Sequence, residues 1–161
     1  MTAEPERFSR ERVTLLDGVS VFGSVDDAAA REVAAAIADR WGCELRSFGI
    51  MSPIDFYAVR AGRVAGFAEI KCRSHGSATY PTVYLSVRKW LALLVTSTGM
   101  GCPAIFVVRF TDGIFWVGIE RIDPRRHLLG GHANPRQPHD VEPLIHVPVA
   151  IMRRLDQGPR S

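Results

Sequence analysis

Residues 52–73 read Ser-Pro-Ile-Asp-Phe-Tyr-Ala-Val-Arg-Ala-Gly-Arg-Val-Ala-Gly-Phe-Ala-Glu-Ile-Lys-Cys-Arg. Two strand-like runs, Ile54–Arg60 and Val64–Arg73, flank the compact turn Ala61-Gly62-Arg63 and predict a β-hairpin. With a three-residue turn Arg60 pairs with Val64. Asp55 then falls directly opposite Glu69, with Cβ atoms about 4.5–5.5 Å apart. Side chains alternate along a strand, so Phe67, Glu69 and Lys71 share this face while Ala68, Ile70 and Cys72 share the other. A slip of one residue would turn the two carboxylates to opposite faces, so the placement depends on the loop length.

Two facing carboxylates repel unless something positive lies between them. Lys71, a divalent cation, or both would meet that need. Hard oxygen donors, few in number and with room for water, suit Mg²⁺ or Mn²⁺ better than zinc. A carboxylate and an ammonium two residues apart on a central strand are costly to bury without purpose. Of the twenty basic residues eighteen are Arg, and only Lys71 and Lys89 are Lys. A GC-rich genome explains the Arg bias but gives no reason for two lysines to survive. Lys differs from Arg in being compact and in losing its proton readily when buried.

Outward from the hairpin, Asp26–Trp41 is Ala-rich and unbroken by Gly or Pro. Ser24 or Asp26 can cap it and Gly42 ends it. Ala30, Val33, Ala34, Ile37 and Trp41 line one face at helical spacing. Glu44–Phe48 reads as a strand. A second helix runs from Thr82 or Ser86 to Thr98, ended by Gly99, Gly101 and Pro103. Pro103–Phe110 and Ile114–Ile122 are apolar strands joined at Thr111-Asp112-Gly113. A loop rich in Pro, His and Arg follows Asp123-Pro124, and His146–Leu155 forms a last apolar stretch. Ahead of it all, Arg12–Phe22 alternates around Asp17-Gly18, a favoured hairpin pair. The order predicts one domain, a mixed α/β sheet with helices packed on it. Residues 1–25 form an arm, 26–122 the core, and 123–161 an extension of the same domain.

At Ser52-Pro53-Ile54-Asp55 and Glu69-Ile70-Lys71 the sequence resembles the PD-(D/E)xK nucleases, the restriction-endonuclease-like superfamily. Residues 26–110 reproduce its helix, three strands, helix, strand order (αβββαβ). A helix bearing Glu32, then strand, Ser-x-x-Asp and Glu-x-Lys, is most similar to Holliday-junction resolvase-type members. The basic, Pro-rich segment 121–145 is similar, more vaguely, to the tails of small phage or prophage nuclease-like proteins. The triplet by itself is weak, since eight Glu and two Lys give roughly 0.1 chance occurrences of E-x-K in a chain of this length. On a strand with an Asp beside it and the helix order right, coincidence becomes improbable. Ile54 departs from the Pro that commonly precedes the Asp, which touches backbone shape and not the ligands.

The resemblance implies that Asp55, Glu69 and the backbone carbonyl of Ile70 hold Mg²⁺ or Mn²⁺, with Lys71 orienting or deprotonating the attacking water. Glu32, at the edge of the apolar helix face, can reach the site as a third carboxylate or stand at the surface. Arg73, Ser74, His75, Tyr80, Arg88 and Lys89 are candidate nucleic-acid contacts. Ser74-His75-Gly76-Ser77 reads as a mobile loop touching DNA or as an ordinary surface loop. A DNA-cleaving hydrolase is the leading expectation. A homodimer follows if it resolves junctions. A non-cleaving nucleic-acid-binding or phage-structural protein on the same fold, or an unrelated domain with a surface ion pair, stays open.

Composition sets limits. Net charge is +3 over 161 residues, too mild to announce a nucleic-acid binder alone. The excess sits in residues 41–90, with seven bases against three acids. There is no apolar run of membrane-spanning length and no signal-peptide pattern, so a cytoplasmic protein, bacterial or phage-encoded, is expected without a membrane partner. Cys43, Cys72 and Cys102 read as buried reduced thiols. His127, His132, His139 and His146 match no compact zinc spacing. Trp41, Trp90 and Trp116 read as core.

Overall fold

The computed structural model describes residues 10–14, 20–24, 28–48, 52–131 and 141–156. Strands β1 (Arg10–Thr14) and β2 (Ser20–Ser24) pair antiparallel, as the alternation in Arg12–Phe22 predicts. The Asp17-Gly18 turn and the capping residue Asp26 lie outside the described residues. Helix α1 (Ala28–Trp41) buries Ala30, Val33, Ala34 and Ile37, the stripe that its spacing predicts, and Gly42 ends it with a left-handed φ of +59°.

Strands β3 (Glu44–Ser47), β4 (Phe56–Arg60) and β5 (Arg63–Cys72) form an antiparallel meander. Its hairpin differs from the three-residue turn expected. Ala61 and Gly62 alone form the loop, both at positive φ (49° and 72°), and Arg60 pairs with Arg63. This two-residue geometry matches the strand twist. One extra residue on β5, Ala65, then bulges out, because Val59 faces Val64 while Ala58 faces Gly66. The shorter turn and the bulge each move the register by one residue, in opposite directions. From Ala58–Gly66 onward, and at Phe56–Ala68, the pairing is the expected one. Gly66 is required beyond the bulge, since a Cβ there would meet the Pro103 carbonyl oxygen at 2.9 Å.

After β5 the chain crosses over through β6 (Thr82–Ser86) and α2 (Val87–Met100) to β7 (Ala104–Phe110), which pairs parallel with β5. Residues 82–86 are therefore strand, and the second helix starts at Val87. Val83 and Leu85 are buried while Tyr84 is exposed, a two-residue period in a β-branched and aromatic run. β8 (Gly113–Gly118) returns antiparallel, followed by a 3₁₀ turn at Ile119–Arg121. β9 (His127–Gly131), in a stretch expected to be loop, pairs with β10 (Val141–Pro148), which begins five residues before the expected apolar stretch. A 3₁₀ turn (Val149–Ile151) leads to β11 (Arg153–Arg154). The main sheet has the order β11-β8-β7-β5-β4-β3, and a smaller one the order β6-β10-β9.

β7 is apolar on both faces because both are covered. Val107, with Ala68 and Ile70, packs under α1, whereas Phe106, Val108 and Phe110 pack with Phe67 under Leu93 of α2. Ile145, Val147 and Met152 from the C-terminal segment join this second cluster. The architecture is the expected mixed α/β core in the order helix, three strands, helix, strand, with β6 interposed before α2. Trp41 and Trp116 meet edge to face in the α1-side core, and the Trp90 indole N–H donates to the Ile119 carbonyl at 3.3 Å. The three cysteines form no disulfide, but Cys72 is exposed and Cys43 and Cys102 are only half-buried, unlike the burial expected. Among the described residues no helix is long and apolar enough to cross a membrane.

Candidate active site

The site lies on the α2 face of the sheet. Phe67 of β5 enters the core there, so the alternation that buries Phe67 also directs Glu69 and Lys71 to this side. Glu69 is 1% exposed. Asp55 arrives from a bend just ahead of β4. The Ile54 amide donates to Ser52 Oγ at 3.1 Å, the buried Ile54 side chain anchors the bend, and the Asp55 carbonyl accepts the Phe48 amide at 3.0 Å. Ser-x-x-Asp is thus a folding unit: the hydroxyl shapes the bend, the Ile fixes it, and the carboxylate is left facing Glu69.

Between the two carboxylates sits an ammonium, and it belongs to Lys89 in the first turn of α2. Its Nζ donates to Asp55 Oδ1, Glu69 Oε1 and Glu69 Oε2, each at 2.8 Å. Lys71 makes no ion pair with any described residue. The four groups line a polar cavity of about 510 Å³ with Arg73, Arg88, Ser86 and Glu142 on its walls. Burial first, and then the neighbouring Asp55, pushes the Glu69 carboxyl up to about 8 against the pull of Lys89. Burial also lowers the Lys71 ammonium, helped by Arg73 and Lys89 and opposed by Glu69 and Asp55. For Lys89 burial acts downward, but Glu69 and Asp55 together outweigh it and the ammonium is held above its ordinary range.

Of the sequence-predicted residues, Asp55, Glu69, Lys71, Lys89, Arg73 and Arg88 come together here. The Ile70 side chain is buried on the α1 side, so only its backbone can contribute. Glu32 does not join them: it is 75% exposed and faces Arg109 at 3.6 Å. Helical spacing put it at the rim of the apolar stripe, and the structure leaves it on the solvent side of that rim. Ser74, His75 and Tyr80 also stand outside the cavity lining. The His75 ring packs against Tyr80 and Phe110.

The loop after β5, read from sequence either as a mobile DNA contact or as an ordinary surface loop, is strapped down by hydrogen bonds. The Arg73 amide donates to the Arg109 carbonyl at 2.8 Å and the Thr111 amide to the His75 carbonyl at 3.1 Å. Ser77 donates from both its amide and its hydroxyl to the Asp112 carboxylate, at 2.8 and 2.6 Å.

Two features escape sequence reasoning. Lys89 is flagged there only as a phosphate contact, although its rarity and its place at the start of a helix packed over β5 were the available signals. Glu142 carries no local signal at all. The pairing of β10 with β6 brings it to the cavity wall, where it accepts the Ser86 hydroxyl at 2.7 Å. Among the described residues no three His, Cys, Asp or Glu side chains converge as metal ligands. The protein's own donor set is therefore two carboxylates and backbone oxygen. That is sparse for an all-protein cage and ordinary for Mg²⁺, which keeps several waters.

The sequence matches the family described as "Phage putative PDDEXK endonuclease" over residues 22–155. A solved structure of Hjc, a Holliday junction resolvase from the archaeal hyperthermophile Archaeoglobus fulgidus, superposes with a TM-score of 0.47 at 15% identity, covering 58% of this chain and 72% of the resolvase. No curated protein matches the sequence.

Proposed function

This chain belongs to the phage PDDEXK endonuclease family, and we propose that it hydrolyses DNA phosphodiester bonds at the cavity floored by Asp55 and Glu69, with Mg²⁺ or Mn²⁺ as cofactor. One observation carries this reading: three carboxylate oxygens, one from the bend ahead of β4 and two from β5, converge at 2.8 Å on a single cationic atom. Hard, anionic, partly buried oxygens in that arrangement fit a small divalent cation. Asp55, Glu69 and the Ile70 carbonyl would hold it. When bound, the cation polarises the scissile phosphate and lowers the pKa of a water.

Lys71 has the protein's part in the chemistry. Its ammonium is lowered by burial and forms no ion pair with a described carboxylate, so it can orient the attacking water, take its proton, or meet the charge developing on the phosphoryl oxygens. Arg73 and Arg88 on the cavity wall would hold flanking phosphates. A homodimer would bring two such cavities to the two strands of a duplex or branched substrate. The reaction belongs in the cytoplasm of a bacterial host, where DNA and millimolar Mg²⁺ are both present.

The test is cleavage of linear duplex and branched DNA by purified protein in Mg²⁺. Lys71→Ala should slow it by about 10²–10⁴-fold while leaving the fold intact. Full activity in that variant would remove Lys71 from the mechanism. One observation favours a second reading, a DNA-binding protein that does not cut: Lys89 already neutralises the carboxylate pair. Salt-dependent DNA affinity without cleavage in Mg²⁺ or Mn²⁺ would establish it.

A further inference from the structure

We propose that Lys89 is a tethered counter-ion that the divalent cation must displace, and that its release couples cation binding to DNA binding. The inference rests on the function proposed above and names how that site is regulated. Lys89 Nζ touches the same three oxygens that would hold the cation, Asp55 Oδ1 and both oxygens of Glu69, at 2.8 Å. A divalent ion sits about 2.0–2.6 Å from such donors. Ammonium and metal would then compete for the same lone pairs while repelling each other at near-contact distance. They cannot share the site.

The ammonium nevertheless has somewhere to go. Lys89 is rooted in the first turn of α2 on a flexible four-carbon stem, and the cavity of about 510 Å³ exceeds the share of a dozen waters. One turn back, Ser86 holds the Glu142 carboxylate on the same wall, and Arg88 lies beside it. A swung-out Lys89 joins Arg73 and Arg88 in a basic wall around the entering phosphate. In the metal-free chain Lys89 ties Asp55 to Glu69, and in the loaded chain it becomes a phosphate ligand. Linkage then runs in both directions. Metal frees the ammonium for DNA, and a DNA phosphate that draws Lys89 away tightens the metal by the same factor.

Competition lowers the apparent metal affinity by the fraction of time the site is open. If Lys89 is engaged for nine-tenths of the time or more, its removal tightens binding about tenfold or more. We would measure Mn²⁺ binding calorimetrically to the full chain and to Lys89→Met, Lys71→Met and Asp55→Asn. Expected is a gain of at least tenfold for Lys89→Met, a smaller one for Lys71→Met, which deletes an equal charge nearby, and loss of the site in Asp55→Asn. Equal gains for the two lysine variants, or none for Lys89→Met, would overturn the proposal while leaving the metal site standing. Undiminished binding to Asp55→Asn would instead overturn the site.

A second measurement needs no variant. With two lysines in the chain, a ¹³Cε–¹⁵Nζ correlation spectrum holds two cross-peaks, and the Lys89 peak should move as Mg²⁺ titrates in. A Lys89 peak that stays fixed at Mg²⁺ saturation refutes displacement.

Discussion

Replacing Glu69 by Gln in the metal-free protein should remove the part of its stability that falls between pH 5 and pH 8. Glu69 is buried at the cavity floor, and its carboxyl is pushed up to about 8 by that burial and by the adjoining Asp55. A carboxyl whose pKa is higher in the folded chain than in the unfolded one stabilises the fold while protonated. The contribution is complete below the ordinary value of 4.5 and is lost as pH rises to about 8. At 1.36 kcal/mol per pH unit, this span is worth at most about 5 kcal/mol. The Lys89 ammonium, held above 10.5, stays charged throughout the window and adds no slope.

For a chain of this size each kcal/mol is about 2–4 °C in Tm. Relative to Glu69→Gln, the wild type should therefore lose about 5–15 °C between pH 5 and pH 8. Thermal unfolding followed by circular dichroism in EDTA measures it. Taking the difference between the two proteins cancels the other titrating groups. Saturating Mg²⁺ at pH 8 should recover most of the loss in the wild type and little in the variant. Parallel Tm profiles from pH 5 to pH 8 would refute the reasoning, because they would mean that Lys89 fully compensates the buried charge.

Two further outcomes follow from the hairpin and the strapped loop. Gly66→Ala should cost about 1–3 kcal/mol by driving a Cβ to 2.9 Å from the Pro103 carbonyl oxygen, a loss visible in urea unfolding midpoints. Asp112→Ala removes the acceptor of both Ser77 hydrogen bonds. It should speed hydrogen exchange in residues 73–81 with little change in global stability, and unchanged exchange there would show that the backbone bonds from Arg73 to Arg109 and from Thr111 to His75 suffice alone.

Where local pattern and tertiary packing demand the same thing, the sequence is legible. The α1 stripe, the shared face of Phe67, Glu69 and Lys71, and the opposition of Asp55 to Glu69 are all of this kind. The last is instructive, since the hairpin reaches the expected register by another route. A two-residue turn at Ala61-Gly62 and a bulge at Ala65 cancel. Burial constrains which face each residue takes, and it leaves free how the chain gets there.

Residues 82–86 were harder, because a five-residue strand running directly into a helix offers one short two-residue period against fourteen residues of helical pattern. Glu142 and the pairing of Lys89 with both carboxylates depend on contacts spanning 56, 34 and 20 residues. No window of local sequence contains them. Glu32 illustrates the converse: its helical position is legible, but whether a rim residue turns inward is decided by its neighbours, here Arg109.

A crystal of the protein soaked in Mn²⁺ would show whether Asp55 and Glu69 form a divalent-cation site. The expected result is an anomalous peak between Asp55 Oδ1 and the Glu69 carboxylate, with Lys89 Nζ moved off all three oxygens. A well-ordered cavity at saturating Mn²⁺ with no peak there, and Lys89 still 2.8 Å from both carboxylates, would contradict it.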